Sequence, residues 1–407
     1  MRHTLELRGF KAPIDRIVES DAKLRALKQE SETLKAERNR ASKGGPPTPE
    51  VREQMRTVGE RIKAIDADLA VVQAQIDQDL LWIPNVIDAS VPVGKDEKSD
   101  PVLSQDPVTE LPFTPKPHWD IGEALGILDI PRGTKLSGSR FYVLRGAGAA
   151  LQRALIAWMI DLKVPHGFVE IYPPFLTKRE TLVATGQLPH FDENLYRDTQ
   201  DDLWLVPTAE PQLVGMHRDE TFDAADLPRR YVAYTACFRR EHMSAGRDVR
   251  GIKRGHQFDK VEMVIHCLPE ESPRELELMR ELALDVLRRL RIPARLVERC
   301  TGDLGFNALK GYDLEAWAPG QQEWLEVSSI SNCGDFQAER SGIRFRREAG
   351  ARAELVHTLN ASGLALPRLM IAVIESYQQA DGSLAIPDVL RPYMGGRERI
   401  AMGEFSV

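Results

Sequence analysis

An α+β fold preceded by an antiparallel helical hairpin is what this chain of 407 residues predicts, and three patterns predict it. The first eighty residues carry a heptad seam. From about Pro112 to Val407, short strand-like runs alternate with helix-like ones. Within that stretch, Tyr231 to Phe238 and Phe258 to Ile265 are apolar runs flanking a loop dense in arginine and glycine, the pattern of a long β-hairpin.

The seam runs Val51, Met55, Val58, Ile62, Ile65, Leu69, Val72, Ile76, with alternating spacings of four and three that keep one stripe of a helix apolar. A weaker version precedes it at Ile17, Leu24, Leu27, Ser31, Leu34 and Arg38. Between the two, Gly44-Gly45-Pro46-Pro47-Thr48-Pro49 breaks the helix, with Thr48 placed as a cap and Pro49 in the next first turn. Two such helices joined by a short breaker fold back on one another, each spanning roughly 45 Å. Lys35, Arg38, Arg40 and Lys43 make the tip basic, with Glu37 the only acid among them. A solubilising face explains such a run, and so does a grip on a phosphate backbone. Trp82 to Leu111 is a connector rich in Pro, Asp, Ser and Val, and residues 1–95 are read as the arm with 96–407 as the second domain. In the latter, Gly146 to Leu162, Glu271 to Leu290 and Pro367 to Gln379 are the expected helices.

Hydrophobic content of 42% and charged content of 28% describe a soluble chain, and 407 residues exceed what one core usually supports. No stretch approaches the ~20 continuous apolar residues of a membrane span. Met1 to Phe10 lacks the apolar core of a signal peptide, so a cytoplasmic location is expected. The four cysteines, Cys237, Cys267, Cys300 and Cys333, form no CxxC pair, which argues against a disulfide framework and a zinc ribbon. A net charge of −7 means a nucleic-acid partner must be met by local basic patches.

The hairpin concentrates the chemistry. Arg239 and Glu241, two apart at the end of the first strand, are expected on one face. Arg247, Arg250, Lys253 and Arg254 crowd the same loop without enough neighbouring acids to match. A solvated charged hairpin is one reading; a site for a polyanion such as a nucleoside triphosphate is the other, since guanidinium binds phosphate in a planar, bidentate way. There is no GxxxxGK[ST] loop and no GxGxxG after a strand, so any triphosphate is held by arginines and by carboxylates carrying magnesium. HExxH and GxSxG are also absent. Glu326-Val327-Ser328-Ser329 offers magnesium ligands: on a straight strand Glu326 would share a face with Ser328, whereas a bulge would let it act with Ser329. Arg368 lies near a helix N-terminus, where a cation is disfavoured unless an anion binds there. Pro207-Thr208-Ala209-Glu210 and Lys260-Val261-Glu262 add a hydroxyl and two carboxylates, fit for a ligand ammonium group or for an ion pair with Lys260.

Taken together, these stretches resemble the seryl-tRNA synthetases, class II aminoacyl-tRNA synthetases, over nearly the whole chain. The heptad hairpin is similar to that family's tRNA-binding arm, ending in Ile83-Pro84-Asn85 and Ser90-Val91-Pro92-Val93-Gly94. Gly167-Phe168 through Pro173-Pro174 looks like motif 1, Phe238-Arg239-Arg240-Glu241 with Arg254 to Phe258 like motif 2, and Asn360 to Arg368 like motif 3. Thr185 to Pro189, Thr301 to Gly305, Asn332-Cys333 to Phe336-Gln337 and Arg391 to Gly396 continue the pattern. The resemblance implies a class II synthetase-like antiparallel sheet flanked by helices, a homodimer through motif 1, and a ligase that activates L-serine with ATP and charges tRNA(Ser). It leaves a selenocysteine tRNA open as a second acceptor.

By the same resemblance Arg239, Glu326 and Arg368 are the catalytic residues, Arg239 holding the α-phosphate and Glu241 reading the adenine amino group. Arg254 and Arg368 would bind the γ-phosphate side, with Phe258 and Arg368 sandwiching the adenine. Arg240, Val327 and Ser328 complete the ATP-binding set, and Glu326 and Ser329 would carry Mg2+. Thr208, Ala209, Glu210, Arg239, Glu262, Asn360 and Ser362 would surround serine. The arm and the motif 2 loop would meet tRNA, and no zinc is expected. The sequence departs from the family at His242-Met243, at Asn360-Ala361-Ser362-Gly363 where the second residue is usually glycine, and at its start, where the first short helix is expected to be largely missing. A binding protein without activity would be expected to have lost some of Arg239, Glu241, Glu326, Ser329 and Arg368; all are present.

Overall fold

The computed structural model describes residues 1–41, 48–108, 110–242 and 250–403. The chain divides into two compact units, Met1–Pro84 and Asn85–Val407. In the first, a short helix α1 (Arg2–Arg8) ends on Gly9 in the left-handed conformation. Two long helices follow, α2 (Ile14–Ala41) and α3 (Pro49–Leu80). Their direction is read from their cross-links. Arg16 pairs with Asp79, Arg61 with Glu30 and Gln54 with Glu37, so one partner descends as the other climbs and the helices are antiparallel. The seam faces inward: Val58, Ile62, Ile65, Val72 and Ile76 are buried, as is Leu24 opposite. Thr48 caps α3 by accepting a hydrogen bond from Val51 N at 3.4 Å, with Pro49 in the first turn. Lys35 is tied to Asp66 at 3.2 Å; Lys43 and the breaker 44–47 lie outside the described residues.

The connector residues 85–95, read with the arm from sequence, group with the second unit. Asn85 explains this: its side-chain amide donates to the Asn307 and Cys333 carbonyls at 2.9 and 2.7 Å, and its backbone N–H donates to Phe306 O at 2.9 Å.

The second unit is built on an eight-stranded sheet. In chain order its strands are β1 (Val102–Gln105), β2 (Phe168–Ile171), β3 (Arg229–Phe238), β4 (Gln257–Cys267), β5 (Ala294–Glu298), β6 (Lys310–Ala318), β7 (Glu323–Gly334) and β8 (His357–Ala365). Their spatial order is β1-β5-β6-β7-β8-β4-β3-β2, and every pairing is antiparallel except β2 with β3. The helices include α4 (Ala147–Asp161), α5 (Glu210–Gly215), α6 (Ser272–Arg289), α7 (Phe336–Ser341) and α8 (Leu366–Ser376). Those three longer helices, α4, α6 and α8, match the expected ones to within a few residues.

Strand alternation divides the sheet's two faces. Val261, Met263 and Ile265 of β4 and Leu359 and Ala361 of β8 join the main core with Leu151, Met279 and Met370 from the helices. Lys260, Glu262, Asn360 and Ser362 are therefore left to the opposite face. Of the sheet's register slips, two bear on the residues described below. The β6–β7 register slips so that Val327 is the extra residue, and the β4–β8 register slips at Gly363. A Cβ on Gly363 would meet Val261 Cγ1 at 3.1 Å, so the lack of a side chain there leaves room for Val261.

No helix among the described residues is long and apolar enough to cross a membrane. The hairpin's stability rests on few buried side chains, and Ile65 is fully buried. Ile65→Ala is expected to destabilise the arm by about 2–4 kcal/mol, seen by circular dichroism as an earlier melting step in the intact protein.

Candidate active site

The polar face of the sheet forms the floor of a cavity of about 450 Å3. Its lining brings together Thr208 and Glu210 at the start of α5, Arg239, Glu241, Arg254 and Phe258 around the β3–β4 hairpin, Glu326, Val327 and Ser329 on β7, Asn360 and Ser362 on β8, and Arg368 on α8. Twelve residues proposed from separate stretches thus meet in one place.

The hairpin reaches it differently from the strand argument. β3 ends at Phe238, and Glu241 adopts a left-handed backbone conformation with φ of 51°. Arg239 and Glu241 share the cavity because the chain turns: Arg239 N donates to His256 O and Arg240 N to Asn194 O, both at 2.9 Å. The returning strand is pinned by Ile252 N, which donates to His118 Nε2 at 3.1 Å. That contact puts the ring proton on Nδ1, which faces Glu375 at 3.1 Å. The cations are also less isolated than their order along the chain suggests. Arg250 lies 3.7 Å from Asp120, Lys253 2.7 Å from Glu323 and Arg254 3.6 Å from Glu241. Asp120 and Glu323 are remote in sequence, whereas Glu241 belongs to the same hairpin. Arg247, with residues 243–249 as a whole, lies outside the described residues.

On β7 the bulge at Val327 turns Glu326 and Ser329 toward the cavity and Ser328 away, its hydroxyl donating to Ser362 O at 2.6 Å. Arg368 Nη1 donates to Glu326 O at 2.7 Å and lies 3.1 Å from Glu326 Oε2. The anion expected to relieve Arg368 at its helix N-terminus is, in this structure, a carboxylate of the protein. The surrounding protein works to raise the Glu326 carboxyl, but Arg368, with Arg299 and Arg239 behind it, more than offsets this and holds it below the usual carboxylate range. Beneath it, burial, with Glu326 and Asp303 nearby, pushes the Asp313 carboxyl up against the pull of Arg299. Arg299 is buried, its guanidinium donating to Ile330 O at 3.0 Å and Ser331 Oγ at 2.6 Å. Gly311 makes room for it, since a Cβ there would lie 1.8 Å from Arg299 Nη2.

At the other end sit the buried acids. Lys260 Nζ is 2.5 Å from Glu262 Oε2, and Asn360 Nδ2 donates to Glu262 Oε1 at 3.2 Å. Glu210 is held by amides: Gln337 Nε2 donates to Oε1 at 2.6 Å and Asn307 Nδ2 at 3.1 Å, with Gln187 Nε2 3.4 Å from Oε2. Burial, reinforced by Glu262, pushes the Glu210 carboxyl up to about 7, against the opposing pull of Gln337, Lys260 and Asn307.

Four of the expected residues do not line the cavity. Arg240 stacks over Tyr196, 4.3 Å from the ring centre, and its Nε donates to Leu195 O at 3.0 Å. Ala209 packs with Leu213 in a second apolar cluster. Ser328 is turned under the sheet, and Glu262 is fully buried behind Lys260. Conversely, reasoning on residue types did not single out Arg299 or Asn307, and Gln337 entered only as part of a family stretch. A lone arginine or amide has no periodic signature; only the contact with Glu210 or Ser331 marks it.

The comparisons agree along the whole length. Residues 1–87 match the family description "Seryl-tRNA synthetase N-terminal domain" and residues 191–377 match "tRNA synthetase class II core domain (G, H, P, S and T)". A serine--tRNA ligase of Roseiflexus sp. is 56% identical over 397 residues, covering 96% of this chain and 93% of its own length. The chain belongs to the seryl-tRNA synthetase family. Among solved structures, the seryl-tRNA synthetase of Pyrococcus horikoshii complexed with ATP is 36% identical with a TM-score of 0.93, covering 99% of this chain and 97% of that one. The cytoplasmic serine-tRNA ligase of Naegleria fowleri in complex with AMP is 30% identical with a TM-score of 0.89, over 99% and 95%. The class II synthetase fold expected from the resemblance is therefore the fold found, and the chain is a ligase of this family.

The buried Lys260–Glu262 pair yields a stability test. Lys260→Met strands a carboxylate and is expected to destabilise the fold by about 3–5 kcal/mol, measured by urea unfolding. Adding Glu262→Gln should recover a large part of that loss.

Proposed function

We propose that this chain activates L-serine with ATP to seryl-adenylate and transfers the seryl group to the 3′ end of tRNA(Ser), as a cytoplasmic homodimer. One observation carries the reading: a single cavity joins a cationic region, Arg239, Arg254 and Arg368, to a buried acidic one around Glu210, with the oxygen ligands Glu326 and Ser329 also in its lining. Triphosphate and an amino acid's ammonium group ask for those two regions, side by side.

In this reading the serine carboxylate oxygen bonds to the α-phosphorus as the bond to the bridging oxygen breaks and pyrophosphate departs. No side-chain nucleophile takes part; the residues position the reactants and neutralise charge. Arg239 binds the α-phosphate, Arg254 and Arg368 the γ-phosphate side, and Phe258 with Arg368 flanks the adenine while Glu241 accepts from its amino group. Glu210 takes the serine ammonium with Glu262 behind it, and Thr208, Asn360 and Ser362 surround the hydroxyl. Glu326 and Ser329 offer the all-oxygen donor set that suits Mg2+, which when bound neutralises charge on the triphosphate. A hydroxyl of the tRNA's terminal ribose then attacks the seryl carbonyl and AMP leaves. The basic end of α2 and the motif 2 loop contact the tRNA by shape and phosphate.

ATP–pyrophosphate exchange with serine, threonine, alanine and glycine is expected to respond to serine alone; alanine leaves buried polar groups unpaired and is rejected. Arg239→Ala is expected to abolish exchange with the fold intact, and retained exchange would remove the hairpin from the mechanism. Deleting residues 24–70 is expected to destroy charging of tRNA(Ser) and to spare serine-dependent exchange; equal loss of both would make the arm structural. A selenocysteine tRNA in the same charging assay tests the second acceptor.

The ionisation of Glu210 gives a pH dependence. A carboxyl is neutral below its pKa and ionised above it, and the ammonium of serine needs the ionised form. kcat/KM for serine in exchange is therefore expected to rise with pH through about 7 and to level off above. A flat profile from pH 6 to 8 would remove Glu210 from ammonium recognition.

A further inference from the structure

We infer that Asn307 is a positioning residue for serine, holding Glu210 Oε1 so that Oε2 is presented to the substrate ammonium group. The inference rests on the proposed serine-activating role and deepens it.

The arrangement around Glu210 is lopsided. Oε1 receives two amide donors, Gln337 Nε2 at 2.6 Å and Asn307 Nδ2 at 3.1 Å. Among the described residues, Oε2 has only the long 3.4 Å contact from Gln187, which itself lines the cavity. A carboxylate with one oxygen saturated and the other lightly held has its orientation decided before a ligand arrives. Gln337 is itself locked, fully buried and accepting from the Thr358 hydroxyl at 2.7 Å. Asn307 stands at the cavity wall, and its second amide hydrogen reaches Thr185 O at 3.2 Å.

Its backbone is fixed from behind. Asn85 donates to the Asn307 carbonyl at 2.9 Å, and Asn85 N–H donates to the adjoining Phe306 carbonyl at 2.9 Å. These bonds fix the Asn307 backbone, and the side chain is held by its own two hydrogen bonds, to Glu210 Oε1 and to Thr185 O. Besides holding direction, the amide favours the ionised carboxylate, as hydrogen bonds to a charged form do. The charged groups facing Glu210 are Lys260 and Glu262, both on β4. Glu262 works against ionisation, so the amides supply part of what Lys260 alone does not offset.

The test is ATP–pyrophosphate exchange at varied serine and pH, using full-length wild type, Asn307→Ala and Asn307→Asp. The aspartate variant keeps the volume of the side chain and replaces a donor with a second carboxylate, so cavity shape is not what changes. For Asn307→Ala, KM for serine is expected to rise roughly ten-fold or more, with KM for ATP and saturating kcat at pH 8 within about two-fold of wild type. The acid limb of kcat/KM for serine should move to higher pH in the order wild type, Asn307→Ala, Asn307→Asp. An unchanged serine KM, an equal rise in serine and ATP KM, or an acid limb that stays in place would overturn the inference. A lower melting temperature with the wild-type acid limb would likewise mark Asn307 as merely structural. If wild type shows no serine-dependent exchange, it is the underlying reading that fails, a result separable from any behaviour of the variants.

Discussion

Everything in the second unit turns on keeping several carboxylates close together inside one partly buried cavity. Glu210, Glu262, Glu326 and Asp313 lie in it or beneath it, and isolated they would take up protons or unfold the site. Each is tolerated through a different neighbour. Glu262 has Lys260 at 2.5 Å, Glu326 has Arg368 at 3.1 Å, Asp313 has Arg299 at 3.5 Å, and Glu210 has amides in place of a cation. The difference matters, because amides stabilise a carboxylate without neutralising it. In the proposed function Glu210 is the acid that offers its charge to a ligand, once ionised.

The sheet makes this crowding feasible. Antiparallel strands put alternate residues on the polar face, and the bulges at Val327 and Gly363 shift which ones reach the cavity. Val327 as an extra residue separates Glu326 from Ser329 by three positions while keeping both on one side. Gly363 does the same service on β8, where the absence of a side chain allows close packing on Val261. Opposite, the apolar residues of β4 and β8 join α4, α6 and α8 in a dense core. A rigid backing of that kind is what lets long arginine and lysine side chains hold fixed partners instead of sampling solvent.

The same logic explains the cations. Arg254 rests on Glu241 and Arg368 on Glu326, so the cations proposed to bind the triphosphate are held by carboxylates of the cavity itself. Such pairs are partly exposed and individually weak, which suits the exchange of partners that the proposed function asks of them.

Much of this was legible from the chain. The heptad spacing announced α2 and α3, because a buried seam leaves a period that solvent-facing residues do not obscure. Apolar runs located β3, β4 and the three longer helices, and the motif stretches named most of the cavity lining. What the order of residues could not reveal was partnership. Arg250 and Lys253 looked unmatched because Asp120 and Glu323 approach them only in the folded chain. Arg240, expected in the ATP-binding set, stacks on Tyr196 and does not line the cavity. The bulge that selects Ser329 over Ser328, the left-handed turn at Glu241 and the amides on Glu210 depend on strand register and on contacts between segments a hundred or more residues apart in places. Local periodicity determined the elements and the chemical types present; tertiary packing alone decided which oxygen and which nitrogen face one another.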